Sequence, residues 1–471
     1  MKLLSFRPLF LAPVLALYSP VAGATELTWE GYYRARGRFF DSLSVANSAS
    51  LNLPDDNNVL DTEGVSLWMD HRMRLQPNWL LSEHASLHAQ IDLLPFLHFG
   101  DQPETITDPV SGDPLPTELT GAVVPPTTDE GGVTTQNLQV TRAWGEVTGS
   151  IGTLAIGRMP VDWGSGMIWN NGNDPLDEYG DTADRIQLTS PVGPVYVMGA
   201  FETNFEDFVG ESDDISTISA SVAYKTETTG IGLYNTFRYW NESAESKYGA
   251  YTGDLWGRAE MGPITAETEL AAVLGKGDLG EANDIRISAF GGYLSVGLDN
   301  DKLIAGLAGG FGTGDSETDD DVLKTFTFDR DFNRALILFE ENLPTLEPGV
   351  MNEENGGRDY SYVRTSTALS NVLFLQPTVG YHLFPELKAT ATMFASQAAK
   401  LDANEEAGKG YGLEFDAALR YDPFPHAWFQ ARAGYWMPGR YFSEYGDDSQ
   451  TDPYGFDRPV TAVELVGVIE F

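Results

Sequence analysis

From Ala85 to Leu93 the chain alternates without a break. Leu87, Ala89, Ile91 and Leu93 fall on one face of an extended strand, and Ser86, His88, Gln90 and Asp92 fall on the other. Tyr411 to Asp422 repeats the pattern, with Tyr411, Leu413, Phe415, Ala417, Leu419 and Tyr421 opposite Gly412, Glu414, Asp416, Ala418, Arg420 and Asp422. Strands of a water-soluble sandwich run to about 5 or 6 residues, whereas these are twice as long, the length that crosses a bilayer at a tilt. No segment beyond the N-terminus approaches a run of about 18 apolar residues, so helical spans are excluded. Hydrocarbon then allows one other spanning solution, a closed barrel in which every strand is paired on both sides.

Such strands are predicted at 27–40, 64–80, 85–99, 134–148, 152–163, 182–191, 194–205, 214–227, 230–241, 247–261, 264–276, 285–298, 301–314, 367–384, 386–400, 409–422, 426–442 and 458–471. That makes about 18, an even number as bacterial barrels require, with 16 as the alternative count. The links alternate in length. Short ones fall at Ser82-Glu83-His84, 148–152, 191–194, Gly262-Pro263, Asp299-Asn300-Asp301, Pro385 and 422–426, and long ones lie between them, the largest at 100–133 and 315–366. Short periplasmic turns opposite long extracellular loops, with both chain ends on the short side, is the topology of an all-β, transmembrane antiparallel β-barrel in a Gram-negative-type outer membrane.

The ends of the chain agree. Lys2 and Arg7, an apolar stretch from Leu9 to Leu17 and Ala22-Gly23-Ala24 read as a secretory signal peptide over residues 1–24, to be cleaved before Thr25. The apolar stretch, broken by Pro13, is too short to span a bilayer. Residues 25–471 are then expected to form a single barrel. In the last strand Leu465, Gly467, Ile469 and Phe471 share a face opposite Glu464 and Glu470, and a terminal Phe of this kind is expected to be read by the outer-membrane assembly machinery.

With no cysteine, the chain has no disulfide, thiolate metal site or thiol nucleophile. A formal charge of -40 excludes nucleic acid as a partner, since phosphate neutralisation needs a surplus of Lys and Arg. Residues 41–63, 100–133, 164–181 and 205–214 are acidic and hold no Lys or Arg, which predicts a negative extracellular rim able to bridge through divalent cations to outer-membrane lipid headgroups. Asp319-Asp320-Asp321 lacks the ligand spacing of a calcium loop, and no metal site or cofactor is assigned. The prolines at 103, 109, 114, 116, 125 and 126 make loop 100–133 irregular. Residues 329–343 are the best candidate for a short helix, either folding into the barrel mouth and narrowing it or capping the surface.

Histidines at 71, 84, 88, 98, 382 and 426 are scattered, and no Ser, Asp or His grouping forms a nucleophile motif, so no catalytic residue is assigned. His84 and His88 have helical metal spacing but sit at a turn and in a strand, where they are not co-facial.

Arginine carries the clearest functional signal. Arg34, Arg36 and Arg38 share one face of the first strand, and Arg72 and Arg74 share one face of the second with Asp70. A charged side chain facing lipid at the bilayer midplane costs about 2–4 kcal/mol, so these faces point into the lumen. The same phase argument turns Glu30, Asp92, Asp254, Glu260, Glu267, Glu269, Glu414 and Asp416 inward, together with Arg185, Arg258, Arg286, Arg420 and Arg432. Five adjacent guanidinium groups require a water-filled lumen or compensating carboxylates. They form either an arginine ladder that guides anions or a wall of paired ions. Arg142, in phase with Leu138 and Val140, and Arg158, in phase with Leu154 and Ile156, resist phasing.

Two stretches resemble the alginate-export type of large outer-membrane barrel and the porin-like families around it. One comprises Ala143-Trp144-Gly145-Glu146, Leu154-Ala155-Ile156-Gly157-Arg158, Trp163-Gly164-Ser165-Gly166 and Thr182-Ala183-Asp184-Arg185-Ile186. The other comprises Gly410-Tyr411-Gly412-Leu413-Glu414-Phe415-Asp416 and Ala433-Gly434-Tyr435-Trp436-Met437-Pro438-Gly439-Arg440-Tyr441-Phe442. The resemblance implies an 18-stranded pore, and for the exporter proper an arginine-rich constriction that passes an anionic polysaccharide. The acidic loops and mixed-sign lumen depart from that pattern, so the fold and a pore role carry over and the polymer does not. A porin-like channel for hydrophilic solutes or polymers, anionic ones included, is expected. A plugged structural or surface-interaction barrel acting through acidic loops is the alternative, and a barrel enzyme with a site assembled from separate strands is the third.

Overall fold

The computed structural model describes residues 26–41, 65–98, 138–205, 215–241, 246–279, 285–316, 321–340, 368–401, 408–444 and 458–471, and short two-residue strands between 344 and 364. The signal segment 1–24, the loops at 42–63, 100–133 and 206–214, and Asp319-Asp320 lie outside the described residues.

Eighteen long strands follow one another: β1 Glu26–Asp41, β2 Val65–Ser82, β3 Ala85–His98, β4 Leu138–Gly149, β5 Gly152–Pro160, β6 Thr182–Val192, β7 Val195–Phe205, β8 Ile215–Lys225, β9 Thr229–Asn241, β10 Ser246–Met261, β11 Ile264–Leu279, β12 Ile285–Asp299, β13 Leu303–Gly312, β14 Val372–Phe384, β15 Leu387–Ala398, β16 Gly410–Phe424, β17 Ala427–Pro438 and β18 Val460–Glu470. Each pairs antiparallel with its neighbours in sequence, and β18 pairs with β1, so the sheet has no open edge. Gly31 and Phe471 exchange backbone hydrogen bonds of 2.9 and 3.0 Å at the seam. The predicted alternation of short turns and long connections holds from β1 to β18. β5 ends at Pro160, earlier than predicted, because Val161 to Trp163 leave the ladder and turn inward. β17 ends at Pro438, ahead of a short helix, α1, over Arg440–Glu444.

The pleat sends alternate side chains to opposite sides. Outward residues are apolar and bare: Leu67 is 74% exposed, and Ile156, Ile186, Phe201, Ile231, Leu255, Leu294, Leu307, Leu375, Leu419 and Leu465 continue the belt around the barrel. No soluble monomer carries a continuous apolar girdle of that extent, so hydrocarbon must cover it. Trp29, Trp79, Tyr196, Tyr224, Tyr381, Phe384, Tyr421, Phe424 and Phe429 cluster beside the short turns and the chain ends, where rings suit a membrane interface.

Three phasing problems resolve in the register. Between Gln90 and Ile91 of β3 the partner in β4 skips from Arg142 to Val140, leaving Thr141 as a bulge that swings Arg142 inward although Leu138 and Val140 face lipid. Arg158 faces outward without any bulge, near the extracellular end of its short strand, where the cost of a charge facing lipid falls toward about 0–1 kcal/mol, and it is clamped to Asp184 at 2.6 and 2.8 Å. Arg286 is a correction: it pairs with Lys276 on the outward side of the β11–β12 ladder, opposite in phase to the buried Ala289 and Tyr293.

A further bulge, between Ser396 and Gln397, turns Tyr411 inward against Phe339, Tyr441 and Phe442. Gly412 carries a φ of 127°, and a Cβ there would run into the Met437 carbonyl oxygen. Gly412→Ala is therefore expected to destabilise the barrel by about 1–3 kcal/mol. Guanidinium unfolding in detergent micelles measures this, and an unshifted midpoint would contradict the bulge.

Candidate functional site

The antiparallel register of β1 and β2 sets Arg34 opposite Arg72, Arg36 opposite Asp70, and Tyr32 opposite Arg74. Two arginines directly across a ladder repel, so carboxylates must sit between them. Asp70 accepts from Arg34 at 3.0 Å and from Arg36 at 2.9 Å, and Asp92 takes a two-pronged bond from Arg74 at 2.8 and 2.9 Å. Glu464 on β18 lies 3.3 Å from Arg38 and accepts from Arg432 at 2.8 Å. Arg34, Arg36, Arg38, Asp70, Arg72, Arg74 and Asp92 thus lie together on one inner wall. The sequence reading did not foresee that the five arginines would be only 1–8% exposed.

The cover is the connection between β5 and β6, residues 161–181, and this corrects its assignment to the acidic extracellular rim. The segment crosses the barrel. At its start the Trp163 indole donates to Asp254 at 2.9 Å and packs on Tyr234 and Trp256, while the Ser165 hydroxyl donates to Glu269 at 2.7 Å. Gly164 has a left-handed φ of 63° and no room for a Cβ beside the Glu269 carboxylate. At its far end the carbonyls of Pro175 and Asp177 accept from Arg34 at 2.9 Å and Arg72 at 2.7 Å, and that of Gly172 accepts from Arg74. Glu178 inserts its carboxylate among Arg34 at 3.1 Å, Arg72 at 3.2 Å and Arg36. Burial alone would push the Glu178 carboxyl up, but Arg34, Arg36, Arg72 and Arg38 together hold it far below the usual carboxylate range.

A second insert, residues 321–340, fills the extracellular half beneath β12 to β17. It is not the helix predicted over 329–343, whose last three residues lie outside the described residues: 329–340 run as turns, bends and irregular backbone. The reason is its packing. Phe332, Leu336, Ile337, Leu338 and Phe339 are buried on all sides against Phe328, Phe374, Phe394, Tyr411 and Trp436, where a helix would bury one stripe. The backbone N–H groups of Leu336, Ile337 and Leu338 donate to the Glu414 carboxylate at 2.8, 2.7 and 2.9 Å. Glu414, expected to line the pore, is instead this insert's anchor, with Asp416 beside it. Of the two placements weighed for this segment, the barrel interior is the one observed.

The inserts meet each other through acids. Asp331 accepts from the backbone N–H of Glu178 at 2.8 Å and of Tyr179 at 3.1 Å, and Asp181 and Asp329 hydrogen-bond carboxyl to carboxyl. Burial raises both: Asp329, beside the charges of Asp181 and Asp331, to about 8, and Asp181, beside the charge of Asp331 but held back by the Asn170 N–H and by its bond to Asp329, to about 6.

Below the inserts the inner wall is half-exposed and polar. Arg258 pairs with Glu260 at 2.7 Å near the periplasmic turn, Arg420 pairs with Asp422 at 3.0 Å and stacks on Trp428, and Arg185 pairs with Glu202 at 3.2 Å on the buried wall higher up. Arg258 and Arg420 therefore line a periplasmic vestibule and stand apart from the ladder. β2 and β3 also align three residues that sequence reasoning left separate. Ser86 Oγ lies 2.8 Å from His88 Nε2, and Asn78 Oδ1 lies 2.7 Å from His88 Nδ1. The order is that of a nucleophile relay, but the Glu146 carboxylate 3.9 Å from Nε2 would oppose an oxyanion, and the neighbouring backbone amides are committed to strand pairing.

No family model matches the chain, and no curated protein does. Among solved structures it is similar to OccAB1 of Acinetobacter baumannii, at 10% identity over 94% of this chain and 96% of that one, with a TM-score of 0.52. It also aligns with a BenF-like porin from Pseudomonas fluorescens Pf-5, at 11% identity over 94% and 99% and a TM-score of 0.49. An anion-selective porin from Comamonas acidovorans aligns at 10% identity over 95% and 100%, with a TM-score of 0.43. At such identities the likeness is one of fold. The chain is a closed eighteen-stranded antiparallel barrel of the outer-membrane type.

Two outcomes follow. Glu414→Ala removes one acceptor from three buried donors, each costing about 1–3 kcal/mol when orphaned, so the insert should loosen and 321–340 should become open to limited proteolysis. Persistence of full protection would contradict the anchoring role. A carboxyl whose pKa is raised on docking contributes stability that is fully present below about 4 and lost as pH rises toward about 8. Amide exchange across 329–331, corrected for intrinsic rate, should be slower at pH 5 than at pH 8, and Asp329→Asn should flatten the difference.

Proposed function

We propose that this barrel is a channel for small hydrophilic anions, with its narrow part between the Arg34, Arg36, Arg38, Arg72 and Arg74 wall and the segment 161–181. One observation carries the reading: the donors of this wall are filled largely by the covering segment, through one carboxylate and several neutral carbonyls, so the wall's own acids leave it able to bind negative groups. Guanidinium groups suit carboxylate recognition because their donors form a planar fork. The likeness to alginate-export barrels belongs to this same reading: Trp163-Gly164-Ser165-Gly166, one of the stretches behind it, is the segment that turns the cover across the lumen.

A second reading, a plugged barrel acting at the cell surface, draws on the burial of the ladder beneath that cover. Reversal potentials in planar bilayers under a KCl gradient separate the two. The channel should prefer anions, and Arg36→Glu with Arg74→Glu should weaken or invert that preference. Strict cation preference unmoved by both substitutions would sink the reading, and a barrel that conducts only after deletion of 322–340 would favour the plug.

A further inference from the structure

We propose that Glu178 is a tethered counter-anion that keeps the narrow part shut, and that a soluble carboxylate competing for Arg34, Arg36 and Arg72 releases the segment that carries it. The inference rests on the channel reading and adds a gate to it.

The first support is the number of partners. A single carboxylate bridges three guanidinium groups drawn from two strands, with Oε1 shared by Arg34 and Arg36 and Oε2 facing Arg72. That is how a site holds an incoming anion, whereas an ordinary cross-strand pair engages one cation. The second is that the site does not need Glu178 in order to keep its shape. Asp70 holds Arg34 and Arg36 from below, and Arg72, beside Tyr32, stands on the same pair of rigid strands. With Glu178 withdrawn, Asp70 keeps Arg34 and Arg36 aimed at one point, ready for another carboxylate, with Arg72 across the ladder from them.

The third support is that the gate can move as a piece. Residues 172–180 form a self-contained turn: Asp177 N–H donates to the Asp174 carbonyl at 3.0 Å, and the Asp174 carboxylate accepts from Leu176 N–H at 2.8 Å. Left-handed glycines, Gly172 at a φ of 62° and Gly180 at 117°, bound that turn on both sides. The Trp163 and Ser165 anchors lie upstream of Gly172 on the opposite wall, so the turn can leave the arginines without undoing them. Besides Glu178, neutral carbonyls hold the turn to the ladder, Arg142 donates to the Asn173 side chain at 3.0 Å, Arg330 lies over the Tyr179 ring, and Asp331 accepts from the N–H groups of Glu178 and Tyr179. A neutral carbonyl is a weaker acceptor for guanidinium than a carboxylate, so the charged contact decides the state. The depressed Glu178 carboxyl stays ionised throughout physiological pH, and a competitor must therefore be ionised too.

Propionate copies the glutamate side chain from the β-carbon outward, and propionamide is its uncharged counterpart. In planar bilayers the wild-type barrel should conduct little in KCl, open several-fold more on addition of propionate, and ignore propionamide. Glu178→Gln, which keeps size and removes charge, should be open from the outset and indifferent to propionate. Glu178→Asp, reaching less far, should open at lower propionate concentration. Heat-dependent gel mobility identifies correctly closed barrels among the variants. Wild type that conducts with anion preference while Glu178→Gln behaves identically overturns the gate and leaves the channel reading standing. A barrel silent in every condition, including deletion of 322–340, overturns both.

Discussion

Inside hydrocarbon, a backbone N–H or C=O without a partner costs several kcal/mol, and that single demand shapes everything else in this molecule. It forces the sheet to close through β1 and β18, and closure through a pleated wall commits every second side chain to the interior. Thirteen to eighteen residues in β1, β2, β3 and β9 to β12 give each of these strands several inward positions. The chain has filled them with ions. Once Arg34 and Arg72 are opposed by register, the interior must supply negative charge beside them, and the wall's own Asp70 and Asp92 do so only in part. The remainder comes from a loop, which is why a segment that reads as extracellular lies across the lumen.

The wall was legible because two rules act on it together. Period-2 alternation locates strands, and the cost of charge in lipid decides which face looks inward, so all eighteen strands and the arginine ladder follow from local pattern. The failures have physical causes too. Arg142 and Tyr411 were obscure because one bulged residue reverses phase without changing composition. Arg286 was misplaced because the lipid penalty fades near the extracellular end, and the argument from cost no longer decides. Glu178 could not be found from its own neighbourhood: an acid facing water and an acid facing guanidinium groups look alike in sequence. Some signal was present nonetheless. Residues 161–181 hold Trp163, Met167, Ile168 and Trp169 together with Gly164, Gly166, Gly172 and Gly180, an apolar and sharply turning composition that a solvated rim has no use for.

The second insert shows the same division. Acidic start and apolar middle suggested a helix over 329–343, yet a helix satisfies its own N–H groups, and here Glu414 satisfies three of them from outside. An external carboxylate removes the reason to coil, and burial on every side removes the reason to be amphipathic. Glu414 and Glu178 are thus reciprocal devices: one is a strand residue that grips a loop, the other a loop residue that grips strands. Each uses a buried carboxyl group to locate a segment that the barrel alone would leave undirected.

The reach of these contacts also fixes an order of assembly. Trp163 meets Asp254 across 91 positions of sequence, and Glu178 meets Arg34 across 144, so the crossing segment has nothing to settle on until β1, β2, β10 and β11 are all in place. The strands that receive the segment must therefore be laid down before it can dock. A barrel whose cover has not yet docked would stand wider than the finished one. The speed with which the cover finds its seat would then set how long a new barrel stays wide.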